Sequence, residues 1–317
     1  MRNLFDSILL FLRGMGMGAA DVIPGVSGGT IAFITGIYRK LVHSIKSIDL
    51  HFIKLLLNGK PATAWKHING NFLVAVFSGV LVSIFSLAKL ISWLLENHQM
   101  LVWAFFFGLI IASAIYISKK IEKWNVYTVF FVLAGTAVAF YITLATPATT
   151  PETLYYTFLS GSIAVCAMIL PGISGSFILL LIGKYEHIIT AVNELNAEIL
   201  SVFAAGCVVG LIIFSNVVSW LLKKYSDYTM AVLTGLMIGS LNKLWPWKKV
   251  LETTINKHGE EIPLVERSIA PGQFRQLYDA DPMILQVTVL VIIGFVLIFF
   301  INYLAGIGSD NRNKRQD

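Results

Sequence analysis

Six stretches of the chain, 72–95, 100–118, 126–145, 199–222, 228–242 and 284–304, are almost free of charge. Most are close to the ~20 residues that cross a hydrocarbon core. The 228–242 stretch is short and needs its polar ends near an interface. Charged residues make up 13% of the chain and hydrophobic ones 56%, whereas a soluble domain carries about 25% charged residues. There is too little polar surface to cover the chain in water, so it reads as an all-α integral membrane protein. Cys166 and Cys207 both lie in apolar segments and read as small core residues rather than a disulfide framework or metal ligands. The opening "MRNLFDSILLFLRG" has no cleavage-site pattern and reads as part of the mature protein. A net charge of +6 would suggest nucleic acid in a soluble protein; here it fits cytoplasmic loops beside anionic lipid, and no nucleic-acid partner is expected.

One phrase is written twice. "PGVSGGTIAFITGIY" (24–38) aligns without a gap with "PGISGSFILLLIGKY" (171–185), pairing Pro24/Pro171, Gly25/Gly172, Ser27/Ser174, Gly28/Gly175, Gly36/Gly183 and Tyr38/Tyr185. Further on, 78–95 matches 205–222, with Gly79/Gly206 and Trp93/Trp220, and 106–113 matches 233–240, with Gly108/Gly235. The blocks keep their order, so the chain divides into two halves, 1–148 and 149–317. Each half is one interrupted segment followed by three plain spans.

If the interrupted segments cross the membrane, the halves share an orientation; if they turn back, the halves are inverted. Cytoplasmic loops are enriched in Lys and Arg. The turning-back arrangement gathers Arg2, Arg13, the basic 39–70 loop, Lys119, Lys120, Lys123, Lys223, Lys224 and the tail bases Arg312, Lys314 and Arg315 on one side. The other side receives 96–99, 146–152, 184–198 and the 243–283 loop, whose bases are matched by acids such as Glu252 and Glu266. The expectation is therefore two inverted-topology repeats with both termini in the cytoplasm. Each has a re-entrant hairpin (about 8–42 and 153–188) and three transmembrane helices.

Proline lacks an N–H and obstructs the preceding turn, and glycine frees the backbone after it. A helix from about 8 to 22 should end near Pro24 and another begin near Ser27–Thr30. A half-helix of ~12 residues is ~18 Å long, against a half-thickness of ~15 Å, so each turn reaches the midplane. Irregular backbone survives there only where protein or a water-filled cavity satisfies it. The first N–H groups of a helix are unpaired and lie at its positive end, and a Gly-rich turn admits an anion to them. Gly25, Ser27, Gly28, Gly29 and Thr30, with Gly172, Ser174, Gly175 and Ser176, are the candidate anion-binding residues. The competing reading of each phrase is a kink with close helix packing.

Asp21, whose repeat partner is Met168, is a carboxylate at membrane depth and a candidate for proton or cation coupling; it also reads as a helix-end carboxylate bonded to nearby backbone. Lys89 either faces the central path or snorkels outward. Arg39 either guides phosphate or anchors at the interface. The chain shows no metal-ligand spacing, P-loop or Rossmann fingerprint, so no metal or cofactor is expected.

"GAADVIPGVSGGTIAFITGIY" with "MILPGISGSFILLLIGKY" and the plain spans after each resembles the bacterial polyprenyl-phosphate transporter family (PopT-type) over essentially the whole chain. The resemblance implies transport of undecaprenyl phosphate from the outer to the cytoplasmic leaflet of the bacterial inner membrane, for recycling in cell-envelope synthesis. It also makes the two Pro-Gly-x-Ser-Gly turns the phosphate-binding elements. Proton or sodium coupling and a homo-oligomer are left open. Intramembrane undecaprenyl pyrophosphate phosphatases share inverted repeats, hairpins and a P-G-x-S motif. Their motif is followed by Arg, with Glu and His nearby; Gly28 and Gly175 stand there in this chain, leaving acid–base chemistry poorly served. A small-anion channel or carrier is the third reading.

Overall fold

The computed structural model describes residues 2–23, 26–255 and 261–313. In its first half, α1 (Arg2–Asp21), α2 (Gly28–Ile34) and α3 (Tyr38–Lys46) are followed by two short helices, α4 (Leu50–Leu57) and α5 (Pro61–His67), then the long α6 (Gly70–Ser118) and α7 (Val126–Leu144). The second half runs α8 (Leu154–Ile169), α9 (Gly175–Leu181), α10 (Tyr185–Asn193), α11 (Ala197–Lys224) and α12 (Ser226–Ser240). After these come an antiparallel pair, β1 (Lys248–Ile255) and β2 (Glu261–Ser268), then α13 (Pro271–Tyr278) and α14 (Ile284–Asn313).

Local chemistry sets many of these boundaries. Asn125 and Thr128 form a reciprocal capping box at the start of α7. Thr153 caps α8 and Asn196 caps α11 through side-chain oxygens that accept from the backbone. Pro61 opens α5, where its missing N–H costs nothing.

Among the described residues, four helical segments, 70–87, 93–118, 126–144 and 197–224, are long and apolar enough to cross a membrane, and a bent pair makes a fifth. Phe85, Val126 and Leu285 stand almost fully exposed on helices. Such outward apolar faces would be ruinous in water and are natural against lipid tails. The chain is a multi-pass, mainly helical membrane protein.

The structure adds detail to these expectations. The 72–95 and 100–118 stretches both fall in α6, which breaks at the non-helical backbone of His98 (φ −139°, ψ 36°) and so remains two helical segments. The returning arm of each interrupted segment is itself broken, at Gly36 (φ +75°) and Gly183 (φ +66°), backbone states that favour glycine. The two pieces after the second phrase, α9 and α10, meet at 112°. The chain is also not helical throughout, because the 243–283 loop folds β1 onto β2.

Glycines bring the helices together. A Cβ at Gly79 would overlap the carbonyl oxygen of Phe11, joining α6 to α1, and one at Gly206 would overlap that of Phe158, joining α11 to α8. In the outer spans the pairing is exchanged between halves. Gly108 of α6 sits on Val291 of α14, and Gly235 of α12 sits on Val132 of α7. In return, Gly294 of α14 faces Phe105 and Gly135 of α7 faces Val232. Small residues let membrane helices approach this closely, so dispersion can hold them where no hydrophobic effect does.

Candidate functional site

Each Pro-Gly phrase follows the end of a helix. α1 ends at Asp21; the last α-helical bond, Val22 N to Gly18 O (3.3 Å), gives way to the tighter Ile23 N to Ala20 O (3.1 Å) leading into the turn. α8 ends at Ile169, and Gly172 takes φ +89°. Gly25 lies outside the described residues.

The two turns touch. The Ser27 hydroxyl donates to the Met168 carbonyl (2.8 Å), and the Gly172 N–H donates to the Thr30 hydroxyl (3.1 Å). A Cβ at Gly29 would come within 2.5 Å of the Ile169 carbonyl oxygen, so the start of α2 lies directly on the end of α8. Ser27 and Thr30 are fully buried and Ser174 nearly so. The chain has thus brought both polar phrases to one interior point, where each satisfies part of the other.

The turns differ in what their donors do. In the first, Asp21 Oδ1 accepts from Gly28 N (2.7 Å), and Ser27 Oγ accepts from Gly29 N (3.0 Å) as the N-cap of α2. The Asp21 carboxylate therefore occupies the position that an anionic ligand would take. A Cβ at Gly28 would crowd that carboxylate and the Met17 carbonyl, so a side chain there would have to displace Asp21. In the second turn, the position of Asp21 is filled by Met168, which has no charge to offer. Ser174 makes no cap bond, and its hydroxyl pairs with that of Ser176 (2.8 Å). Gly175 packs against Met168 and the Ala164 carbonyl. A small cavity opens beside this turn, bounded by Gly172, Ser174, Phe177, Thr143, Ser240 and Lys243.

Lys243 escaped sequence reasoning because it lies in a loop whose bases looked merely balanced by acids. Its Nζ is 3.1 Å from Glu266 Oε2 and 5.2 Å from the centre of the Phe177 ring. The one signal available was its place three residues after the end of α12. Lys89 lies on α6, and its side chain is outside the described residues. Arg39 donates to the Ser226 hydroxyl (2.9 Å) at the start of α12. Among the described residues, no group of three His, Cys, Asp or Glu is arranged to hold a metal.

A multi-pass membrane protein whose halves meet through polar, glycine-lined turns in its interior has the build of a transporter. Residues 17–262 match the family described as VCA0040-like, undecaprenyl phosphate translocase-like, and the chain belongs to that family. A polyprenyl-phosphate transporter of Vibrio cholerae is 46% identical over 91% of this chain and 94% of its own length. One of Staphylococcus aureus is 33% identical over 74% of this chain and 85% of its own. No solved structure matches. The relatives are transporters by name, and this chain stands with them as a transporter and not an enzyme.

Proposed function

We propose that the protein moves undecaprenyl phosphate, or a closely similar polyprenyl phosphate, from the outer to the cytoplasmic leaflet of the bacterial inner membrane. The headgroup passes the joined Pro-Gly turns while the prenyl tail stays in the bilayer. The observation that carries this reading is the contact between the two turns, Ser27 to Met168 and Gly172 to Thr30, with a cavity on the side of the second. A lipid phosphate needs a polar path for its head and none for its tail. Hydroxyls and backbone amides on irregular backbone supply such a path where a continuous helix does not.

The halves are inverted repeats, each with a re-entrant hairpin, and both termini are cytoplasmic. The distribution of bases supports this, as does the exchange of α14 and α7 between the halves through glycines at corresponding positions. Alternating access follows from the difference between the turns. In the present state Gly172 and Ser174 of the second turn border the cavity, with Gly175 and Ser176 next in the chain, and the first turn is closed on itself by Asp21. Opening to the cytoplasm frees Gly25, Ser27, Gly28, Gly29 and Thr30 for the phosphate. Asp21 must then leave the Gly28 amide, and taking up a proton or sodium ion is what lets it go. Arg39 receives the headgroup at the cytoplasmic mouth, and Lys89 lines the path.

The test reconstitutes the purified protein in liposomes and follows which leaflet exposes undecaprenyl phosphate. Wild type should equilibrate the lipid within minutes. Ser174→Ala and Ser27→Ala should slow it at least tenfold, and lipid that stays in its original leaflet with wild type would end the proposal. Release of phosphate from the pyrophosphate form would instead indicate an enzyme, and flux of free anions without lipid a channel.

A further inference from the structure

Beside the second turn, the loop after α12 builds a charged cluster. Lys243 reaches from the cavity wall to Glu266 on β2 (3.1 Å), and their side chains are only 19% and 11% exposed. Lys248 of β1 donates to the Asn242 carbonyl (2.9 Å) and lies close enough to Lys243 and Glu266 to feel both charges. Asn242 is fixed in turn: its amide donates to Thr143 (2.7 Å), and Ser268 donates to its carbonyl oxygens. Two ammonium groups therefore face one carboxylate, with positive charge in excess at the rim of a cavity that reaches Ser174.

We propose that this cluster is an anion-exchange latch. Lys243 binds the phosphate monoester of the incoming lipid, and Glu266 is the internal anion it holds until that phosphate arrives. Displacing Glu266 releases its hold on Lys243 and opens the rim of the cavity. The chemistry favours the exchange. A desolvated ammonium needs an anionic partner at all times, and a phosphate carries up to two charges and three acceptor oxygens against the single charge of the carboxylate. The proposal rests on the transport reading for the identity of the lipid, but the latch itself is testable without it.

The test uses full-length protein with Cys166 and Cys207 replaced by Ala and a thiol introduced as Ser174→Cys. Labelling by a membrane-impermeant maleimide reports whether the cavity is open. Without lipid, adding Glu266→Gln should raise the labelling rate about tenfold, because the amide no longer neutralises Lys243. An unchanged rate overturns the latch whatever the substrate is. With Glu266 in place, undecaprenyl phosphate should raise labelling, uncharged undecaprenol should not, and inorganic phosphate should do so only at far higher concentration. Equal potency of inorganic phosphate would make the free anion the ligand and overturn the assignment to lipid. Lys243→Met should reduce retention of undecaprenyl phosphate by the purified protein at least tenfold, whereas Glu266→Gln should strengthen it. Should both weaken it alike, the pair is structural and the proposal fails. Should wild type retain no undecaprenyl phosphate, the latch fails even if Glu266→Gln opens the cavity, whereas the transport reading is decided separately by the leaflet assay.

Discussion

Ser27 and Ser174 occupy the same place in the two phrases and make opposite commitments. Ser27 caps α2 and also donates to Met168, so its hydroxyl is spent twice within the protein. Replacement by Ala removes a cap, typically worth 0.5–2 kcal/mol, and strips a buried carbonyl of its donor. Ser27→Ala should therefore lower stability by about 2 kcal/mol, read as a drop of several degrees in the thermal midpoint in detergent. Ser174 loses only its pairing with Ser176, so Ser174→Ala should cost about 1 kcal/mol or less while impairing transport. The asymmetry comes from Asp21. Asp21→Asn keeps an acceptor for the Gly28 amide and loses the charge, so the fold should survive. The transport rate should lose its dependence on pH or cation, and a dependence identical to that of wild type would remove Asp21 from the coupling role. This carboxylate was visible in the sequence as a costly charge at membrane depth, but its partner was not. Which amide it meets depends on how the backbone folds back over the six residues between Asp21 and Gly28.

At the scale of elements, glycine contacts predict where bulk is forbidden. A methyl group at Gly108 or Gly235 would collide with backbone carbonyls of α14 and α7, which cannot turn aside as a side chain can. Gly108→Ala and Gly235→Ala should each destabilise the protein by about 1–3 kcal/mol in thermal unfolding, and by similar amounts. Gly272→Ala in α13 meets nothing within 4 Å and should be neutral or slightly stabilising. The β1–β2 hairpin makes a different prediction. Burial, helped by the charge of Lys243, pushes the Lys248 ammonium down from 10.5 to about 8, with Glu266 opposing. The folded state then binds fewer protons than the unfolded one between those two values, so stability should rise with pH across that window. Below about pH 8 the charged, buried Lys248 imposes its full cost, and above 10.5 none. The stability difference between wild type and Lys248→Met should therefore shift in favour of wild type as pH rises from 7.5 to 10.5, and a flat difference would contradict the burial. The helices of this chain were legible from their apolar runs and caps. The hairpin was not, because a long polar loop carries no hydrophobic period strong enough to announce two strands.

For the whole molecule, the exchange of outer spans means that Gly108, Gly135, Gly235 and Gly294 are buried only against the other half. The second part of α6 packs on α14, and α12 packs on α7. Residues 1–148 expressed alone should therefore give little stable protein, whereas co-expression with 149–317 should recover a complex that co-purifies. A stable, monodisperse first half would show that the exchange is dispensable. Membrane residence, the helical class, the doubled phrase and the family were all determined by the sequence alone. Each depends on local quantities: hydropathy over a span's length, the missing N–H of proline, and identity at matched positions. Tertiary structure alone decided that the two phrases touch, that Asp21 closes one while the other borders a cavity, and that Lys243 stands at that cavity's rim opposite Glu266. These contacts join residues far apart along the chain, and their geometry is set by helix packing and by the bends at Gly36 and Gly183, which no local pattern encodes.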